Sequence, residues 1–337
     1  MAAPTLLLPR TVSEIGERAL VARVTSRLAM PAWVVVGPGD DAAVIAPERG
    51  ALDVLTTDAL VDGVHFDRRF VPPDAIGHRA LAVNLSDLAA MGAMPRAVLL
   101  SLVLPDTLDV TVIDGLLDGL LALAATHNVA VVGGNISRTP GPLMVDITAI
   151  GSAKPRRVMT RSGARPGDAV CLTGSVGDGL VGLRSLQAPG DPTPTLCRER
   201  YLRPQPRVRA GMLLGRNRAA SACMDTSDGL ADAARQIAEA SGVGITLDAS
   251  ALPIGAEARQ WHAAQGQSAL DAVLAGGDDY ELLFTVRPGH RGRLRNVRRS
   301  LGDLPITQVG VVTKERTLSL RTDGGQHSLP EGFDHFR

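Results

Sequence analysis

The sequence predicts a two-domain α+β protein, and three observations carry that expectation. Apolar residues recur at helical spacing in some windows and as short β-branched runs in others, and the two kinds of segment alternate along the chain. A turn-rich stretch, 154–168, interrupts that alternation. The 337 residues leave room for two domains of about 100–200 residues each. The division is expected near this stretch, with residues 1–152 forming an N-terminal domain and 153–337 a C-terminal one.

Taken in order, residues 11–29 read as an amphipathic helix (Ile15, Leu20, Val21, Val24, Leu28) closed by Pro31. A strand at 33–36, an acidic turn at 37–41 and short strands at 42–46 and 52–57 follow. Residues 77–95, GHRALAVNLSDLAAMGAMP, form the stretch around which the rest is organised. Leu81, Leu85, Leu88 and Gly92 give it an apolar stripe, and small residues (Ala80, Ala82, Ala89, Ala90) stand at several other positions, so it reads as a helix packed on several sides. Asn84 and Asp87 lie three apart on it, a spacing at which side chains share a face. A carboxylate in so apolar a setting is costly without a compensating cation or donors. A solvated stripe, or a local Ser86–Asp87 kink, is the plainer account of the same residues.

A strand at 97–104 stops at Pro105, a helix fits 109–127, and strands at 129–132 and 143–151 complete the first unit. Beyond the boundary, strands are expected at 169–173, 244–248, 281–286, 306–312 and 317–321. Helices are expected at 180–187, 206–216, 227–241, 255–265 and 290–301. The basic run 287–299 contains Leu294 and Val297, and with Leu301 they form an apolar stripe, so it reads as a solvated amphipathic helix rather than a nucleic-acid surface.

Composition narrows the function classes. Hydrophobic content of 45% and charged content of 21% are those of a globular chain, and the formal net charge of zero offers no global attraction to nucleic acid or an anionic membrane. Cys171, Cys197 and Cys223 are odd in number, widely spaced and without a CxxC pair, so neither a disulfide framework nor a zinc site is indicated. No apolar run of about 18 residues and no signal-peptide pattern is evident, so a cytoplasmic protein without membrane association is expected.

Gly37-Pro-Gly-Asp-Asp-Ala42 fits G-x-G-x-x-A after a strand, yet it is no dinucleotide fingerprint. Strand-like residues follow where a helix is needed, and two aspartates stand where a pyrophosphate needs backbone N–H groups. The chain also lacks G-x-x-x-x-G-K-[ST]. The acidic turn does make sense if Mg²⁺ lies between protein and phosphate, because that ion takes carboxylate oxygens and shares its shell with phosphates. Further carboxylates are presented in the same manner: Asp58 in Thr56-Thr-Asp58, Asp87, Asp225 and Asp228 around Ser227, and Asp278 and Asp279 after Gly276-Gly277. Each has a structural account, since aspartates close Asx-turns, and Asp225 also suits an N-cap. Several together, without a Ser/His nucleophile–base pair, point to metal-assisted phosphate chemistry.

The segments GDDAAVI (39–45), LTTDALVDGVHF (55–66), ALAVNLSDLAAMGAMP (80–95), VVGGN (131–135), TRSGARPGD (160–168), MDTSDGL (224–230), GGDDYELLF (276–284) and GFDHF (332–336) occur in the order seen in thiamine-monophosphate kinase. The chain resembles that family, within the superfamily of aminoimidazole ribonucleotide synthetase, selenophosphate synthetase and the hydrogenase-maturation protein HypE. The resemblance implies the two-domain aminoimidazole ribonucleotide synthetase-like fold, with N-terminal sheets pairing across a homodimer and a C-terminal α/β domain completing the active site. It implies several Mg²⁺ ions, ATP as co-substrate and thiamine monophosphate as acceptor. By motif position Asp41, Thr56, Thr57, Asp58, Asp87, Asn135, Asp225 and Asp228 are the implied metal shell. Gly134, Asn135, Arg161 and Ser227 are implied ATP contacts, and His65, Asp278 and Phe333 implied substrate contacts, with Asp87, Asp228 and Arg161 at the centre of catalysis.

Two positions depart from the family pattern. Asn135 stands where a carboxylate is usual, and Asp278 where a glutamate is usual. Another ATP-using enzyme of the superfamily and a nucleotide-binding module without chemistry are the rival readings. A selenophosphate synthetase is disfavoured because it needs a reactive residue near its N-terminus, and the first cysteine here is Cys171.

Overall fold

The computed structural model describes residues 11–188 and 194–330, which fall into two compact units. The first comprises the described residues up to Pro47 with Thr57–Asn84 and Arg96–Ile150. The second comprises Glu48–Thr56, Leu85–Pro95 and the described residues from Gly151 onward.

Strands β1 (Val34–Val36) and β2 (Val44–Ile45) pair as a small antiparallel ribbon. Strands β3 (Leu52–Val61), β4 (Met94–Pro105), β5 (Ala130–Thr139) and β6 (Met144–Ala153) form a sheet in the order β3-β6-β4-β5. β4 and β5 run parallel from Ala97↔Ala130 to Pro105↔Thr139, as a crossover through the helix Val110–His127 requires. Along β4, Leu100, Leu102 and Leu104 are buried while Leu99, Ser101 and Val103 are more open, the period of two of a sheet covered on one side.

The helices Pro73–Ala90 and Val110–His127 cross at backbone contact in the first unit. A Cβ on Gly77 would lie 1.8 Å from the Leu116 carbonyl oxygen, and one on Gly119 would lie 1.8 Å from that of Asp74. Only hydrogens in both places permit the approach. The helix Val110–His127, with 18 residues, is long and apolar enough to cross a membrane, contrary to the expectation that no such run exists. Its packing accounts for the composition: Ile113, Leu116, Leu117 and Leu120 are buried. Asp114 and Asp118 on its outer side form ion pairs with Arg23 and Arg27. Asp109 caps its start by accepting from Thr111 N–H (2.8 Å), and Asn128 closes it in a left-handed conformation.

The helix expected over 11–29 is two helices, Val12–Ile15 and Glu17–Thr25, separated at Gly16, whose φ of +75° no helix accommodates. The organising helix is Pro73–Ala90, four residues earlier at its start and ended before Gly92. Asn84 does not share an open face with Asp87. It is fully buried, with its Nδ2 donating to the Ala80 carbonyl (3.0 Å).

In the second unit β7 (Ala169–Thr173), β8 (Ala222–Asp225), β9 (Gly244–Asp248), β10 (Leu282–Val286), β11 (Ile306–Thr313), β12 (Leu318–Thr322) and β13 (Gly325–Ser328) build a sheet in the order β13-β12-β9-β11-β7-β10-β8. β12 pairs with β9 in parallel, and the other neighbours in the sheet are antiparallel. Val170, Leu172, Met224, Ile237, Ile245, Leu247 and Leu283 are among the residues of its core. All three cysteines are free and buried in this unit. Burial pushes the Cys171 thiol up to about 11 and raises those of Cys197 and Cys223 as well.

Candidate active site

In the second unit the register between β8 and β10 sets the geometry. Asp225, the last residue of β8, stands opposite Leu282, which brings the acidic loops 225–229 and 277–281 side by side. Thr226 N–H donates to the Glu281 carbonyl (2.9 Å), Glu281 N–H to Thr226 Oγ1 (3.1 Å), and Asp278 N–H to the Ser227 carbonyl (2.9 Å). Asp225 therefore ends a strand. The following helix begins at Leu230, three residues later than expected, and Asp225 is not its N-cap.

The organising helix meets this pair of loops. Ser86 Oγ donates to Asp225 Oδ2 (2.7 Å), and Ser227 Oγ reaches Asp225 Oδ1 (3.3 Å). Thr56 Oγ1 donates to Asp87 Oδ2. Burial holds the Asp87 carboxyl above the usual carboxylate range, opposed by the Thr56 hydrogen bond and the charge of Arg161. Asp225 is pushed up to about 7 by burial and by the charge of Asp87, with the two serine bonds opposing and Asp228 adding further repulsion. Asp225, buried and repelled by the charges of Asp87 and Asp228, has no cation among the described residues opposing that repulsion, and Arg161 acts on Asp87 alone, so the site is short of positive charge. Among the described residues no three His, Cys, Asp or Glu side chains close on one point as a ready-made metal cage. The donors here are carboxylate and hydroxyl oxygens in an open set. That suits a hard cation such as Mg²⁺, which keeps part of its shell for water and phosphate.

The loop 277–281 is strained. Asp278 (φ +68°) and Tyr280 (φ +51°) both adopt the left-handed region, rare for a bulky tyrosine, and Tyr280 Oη donates to Asp278 Oδ1 (3.0 Å). Fully buried Glu281 anchors it, accepting from Thr173 Oγ1 (2.6 Å) and from two nitrogens of Arg207. Asp279 accepts from the N–H groups of Gly177 (2.7 Å) and Gly179 (3.1 Å). Burial pushes its carboxyl up to about 8 against those two bonds. An acid whose pKa is higher folded than unfolded loses its contribution to stability progressively between the two values. The contribution of Asp279 is therefore full below about pH 4 and is lost as pH rises through about 8. Asp279→Asn should flatten the decline in urea-unfolding stability between about pH 5 and pH 8. A variant with the parent's slope would refute this account.

In the first unit the open face of the sheet floors a cleft of about 730 Å³, bordered by the helix Glu17–Thr25 and the turn 37–43. Asp40, Asp41, Ser101, Gly134, Asn135, Asp146 and Thr148 line it. Asp40 Oδ1 accepts the Asp41 N–H (2.9 Å), so one aspartate shapes the turn and the other projects from it. Gly134 has φ +157°, and a Cβ there would lie 1.8 Å from the Leu100 carbonyl oxygen, so a side chain cannot replace its hydrogen. Asn135 Nδ2 donates to Ser137 Oγ (2.9 Å), which leaves its carbonyl oxygen as the atom to offer a cation. Thr57 Oγ1 donates to Asp146 Oδ1 (3.1 Å). His65 is half-buried, its Nδ1 accepting from Val61 N–H (3.1 Å), a bond inside its own turn.

The anticipated residues thus fall in two groups. Thr56, Asp87, Arg161, Asp225, Ser227, Asp228 and Asp278 belong to the second unit, and Asp41, Thr57, Asp58, His65, Gly134 and Asn135 to the first. Phe333 lies outside the described residues, as does part of the loop 187–196, which carries no sequence reading.

Residues 39–153 match the family described as AIR synthase related protein, N-terminal domain, and residues 165–323 match AIR synthase related protein, C-terminal domain. A thiamine-monophosphate kinase of Salmonella typhimurium is 39% identical over 329 residues, which is 95% of this chain and 98% of that protein. The chain belongs to the thiamine-monophosphate kinase family. A crystal structure of the thiamine-monophosphate kinase from Stenotrophomonas maltophilia K279a is similar to it at TM-score 0.80 and 37% identity, covering 91% of this chain and 96% of that one. AaThiL complexed with AMPPCP and TMP is similar at TM-score 0.76 and 30% identity, covering 98% of this chain and all of that one.

Within this thiamine-monophosphate kinase family member, sequence reasoning missed the contacts of Ser86, Asp146 and Glu281. Ser86 sits beside Asp87 in the organising helix, and its burial next to Asp225 was the missing fact. Glu281 has a signal in retrospect. It is a charged residue running straight into Leu282, Leu283 and Phe284, a setting that demands a buried partner.

Proposed function

We propose that this chain transfers the γ-phosphoryl group of ATP directly to the phosphate of thiamine monophosphate, giving thiamine diphosphate and ADP. The observation that carries the reading is the near-complete correspondence with AaThiL complexed with AMPPCP and TMP, in a chain whose own acidic loops converge on Asp225. The acceptor is a phosphate with a second pKa of about 6, already ionised at neutral pH, so no general base is needed. What the protein must supply is alignment of two polyanions.

Thr56, Asp87, Asp225 and Asp228 would hold metal ions in the second unit, and Asp41, Thr57, Asp58 and Asn135 in the first. Mg²⁺, when bound, supplies neutralisation of the phosphate charge. Arg161, Ser227, Gly134 and Asn135 are the proposed ATP contacts, and His65, Asp278 and Phe333 the proposed contacts to thiamine monophosphate. Residues 1–152 carry nucleotide and metal binding together with dimerisation, and 153–337 complete the site. A homodimer is supported by the open sheet face of the first unit, where Leu99 is 37% exposed. A cytoplasmic setting without nucleic-acid or membrane partners fits the free thiols and the balanced charge.

The test is ³¹P spectroscopy of the purified protein with ATP, Mg²⁺ and thiamine monophosphate, beside a control lacking the acceptor. A diphosphate ester growing in step with ADP is expected. ADP without that ester, or no ADP at all, would overturn the assignment.

A further inference from the structure

Arg161 lies on an exposed loop, yet both its backbone and its side chain are held by one helix. Thr160 anchors the loop to the sheet, its carbonyl accepting from Cys223 N–H (2.9 Å). At the end of the helix Leu230–Ser241, Ser241 Oγ accepts from the N–H groups of Gly163 and Ala164 (3.1 Å each) and reaches the Arg161 carbonyl (3.3 Å). Earlier in the same helix, Gln236 Oε1 accepts from Arg161 Nη1, and Gln236 Nε2 donates to Asp232 Oδ2 (2.6 Å).

This chain of bonds has a direction. A glutamine amide offers a carbonyl at one side and an NH₂ at the other. The Asp232 carboxylate accepts only, so it takes the NH₂ and turns the carbonyl toward Arg161. The guanidinium, on a long side chain with many rotamers when free, is thereby fixed in one orientation. The neutral amide does this without cancelling the arginine's charge. A carboxylate touching Arg161 directly would compete with the acidic cluster and with any phosphate, and here the carboxylate stands one residue back.

We propose that Asp232 and Gln236 are positioning residues that pre-orient Arg161 toward the phosphates of ATP. The proposal rests on the reading of Arg161 as an ATP contact. Gln236→Met, of similar shape but without the acceptor, should lower kcat/KM for ATP about tenfold with little change in thermal midpoint. Gln236→Glu keeps the bond but neutralises Arg161, and should raise the KM for ATP while leaving kcat closer to the parent. A merely structural glutamine would not distinguish the two variants. In an Arg161→Ala background both substitutions should become silent, because their effect passes through the missing side chain. Asp232→Ala frees the amide to flip and should give a smaller loss of the same kind, which provides the reading if Gln236→Met fails to fold.

Less than about a twofold effect of Gln236→Met, or an equal effect with and without Arg161, overturns the positioning role. Parent-like kinetics for Arg161→Ala overturns the ATP-contact reading and this proposal with it. An impaired Arg161→Ala beside a parent-like Gln236→Met overturns the proposal alone.

Discussion

Asp225→Asn is expected to lower turnover at least about a hundredfold while making the metal-free protein more stable above neutral pH. The two effects have one cause. Asp225 is 3% exposed, bonded by Ser86 and Ser227, and its carboxyl titrates at about 7 because burial and Asp87 oppose its charge. In the unfolded chain the same carboxyl titrates at about 4, so its ionisation costs stability progressively from about pH 4 to pH 7 and constantly above. The amide removes that cost, on the order of a few kcal/mol, together with the carboxylate proposed to hold a cation. Urea titrations at pH 8 without Mg²⁺ should show the gain. Thermal midpoints with Mg²⁺ and ATP should rise for the parent and little for the variant. Parent-like turnover of Asp225→Asn at saturating Mg²⁺ would remove Asp225 from the metal shell.

The largest loss of stability is expected from Gly77→Ala. The added methyl would lie 1.8 Å from the Leu116 carbonyl oxygen and 2.7 Å from its carbon. These are backbone atoms in the middle of a helix, so relief requires the helices Pro73–Ala90 and Val110–His127 to separate and unpack the side chains between them. About 3 kcal/mol or more is the expected cost, at the upper end for overpacking because no side-chain rotamer absorbs the clash. Gly289→Ala is the control, since a methyl there meets nothing within 4 Å. If the two variants melt together, the helices do not cross at Gly77.

The parts of the fold that were legible are those whose pattern is long or strongly apolar. The helix Val110–His127 and the strands Ala169–Thr173 and Gly244–Asp248 lie within a residue of their expected bounds. The helices Thr195–Leu202 and Ala269–Ala275 have no such pattern. The first, TLCRERYL, buries only Cys197 and Tyr201, too few to show a stripe. The strand Ala222–Asp225 is four residues long and runs straight into loop chemistry that imitates a helix start. From sequence β5 reads as ending at Val132 because Gly133-Gly134 resembles a turn, whereas the ladder with β4 continues through both glycines to Thr139. The acidic residues themselves could be picked out from type and spacing. Their grouping by unit, and the serine hydroxyls and glutamine amide that orient the site, depend on contacts between distant segments that spacing does not encode.

The placement of the three buried thiols gives the protein a built-in reporter. Only a thiolate reacts readily with an alkylating probe, and burial both hides these sulfurs and suppresses their ionisation. All three belong to the second unit, and the sequence has no others. Labelling under mild denaturant therefore counts openings of that unit alone, while the cysteine-free first unit stays silent. Set beside an optical signal from Trp33, which stacks under Arg96 in the first unit, in a Trp261→Phe variant that silences the tryptophan of the second, it separates the unfolding of the two halves in a single chain.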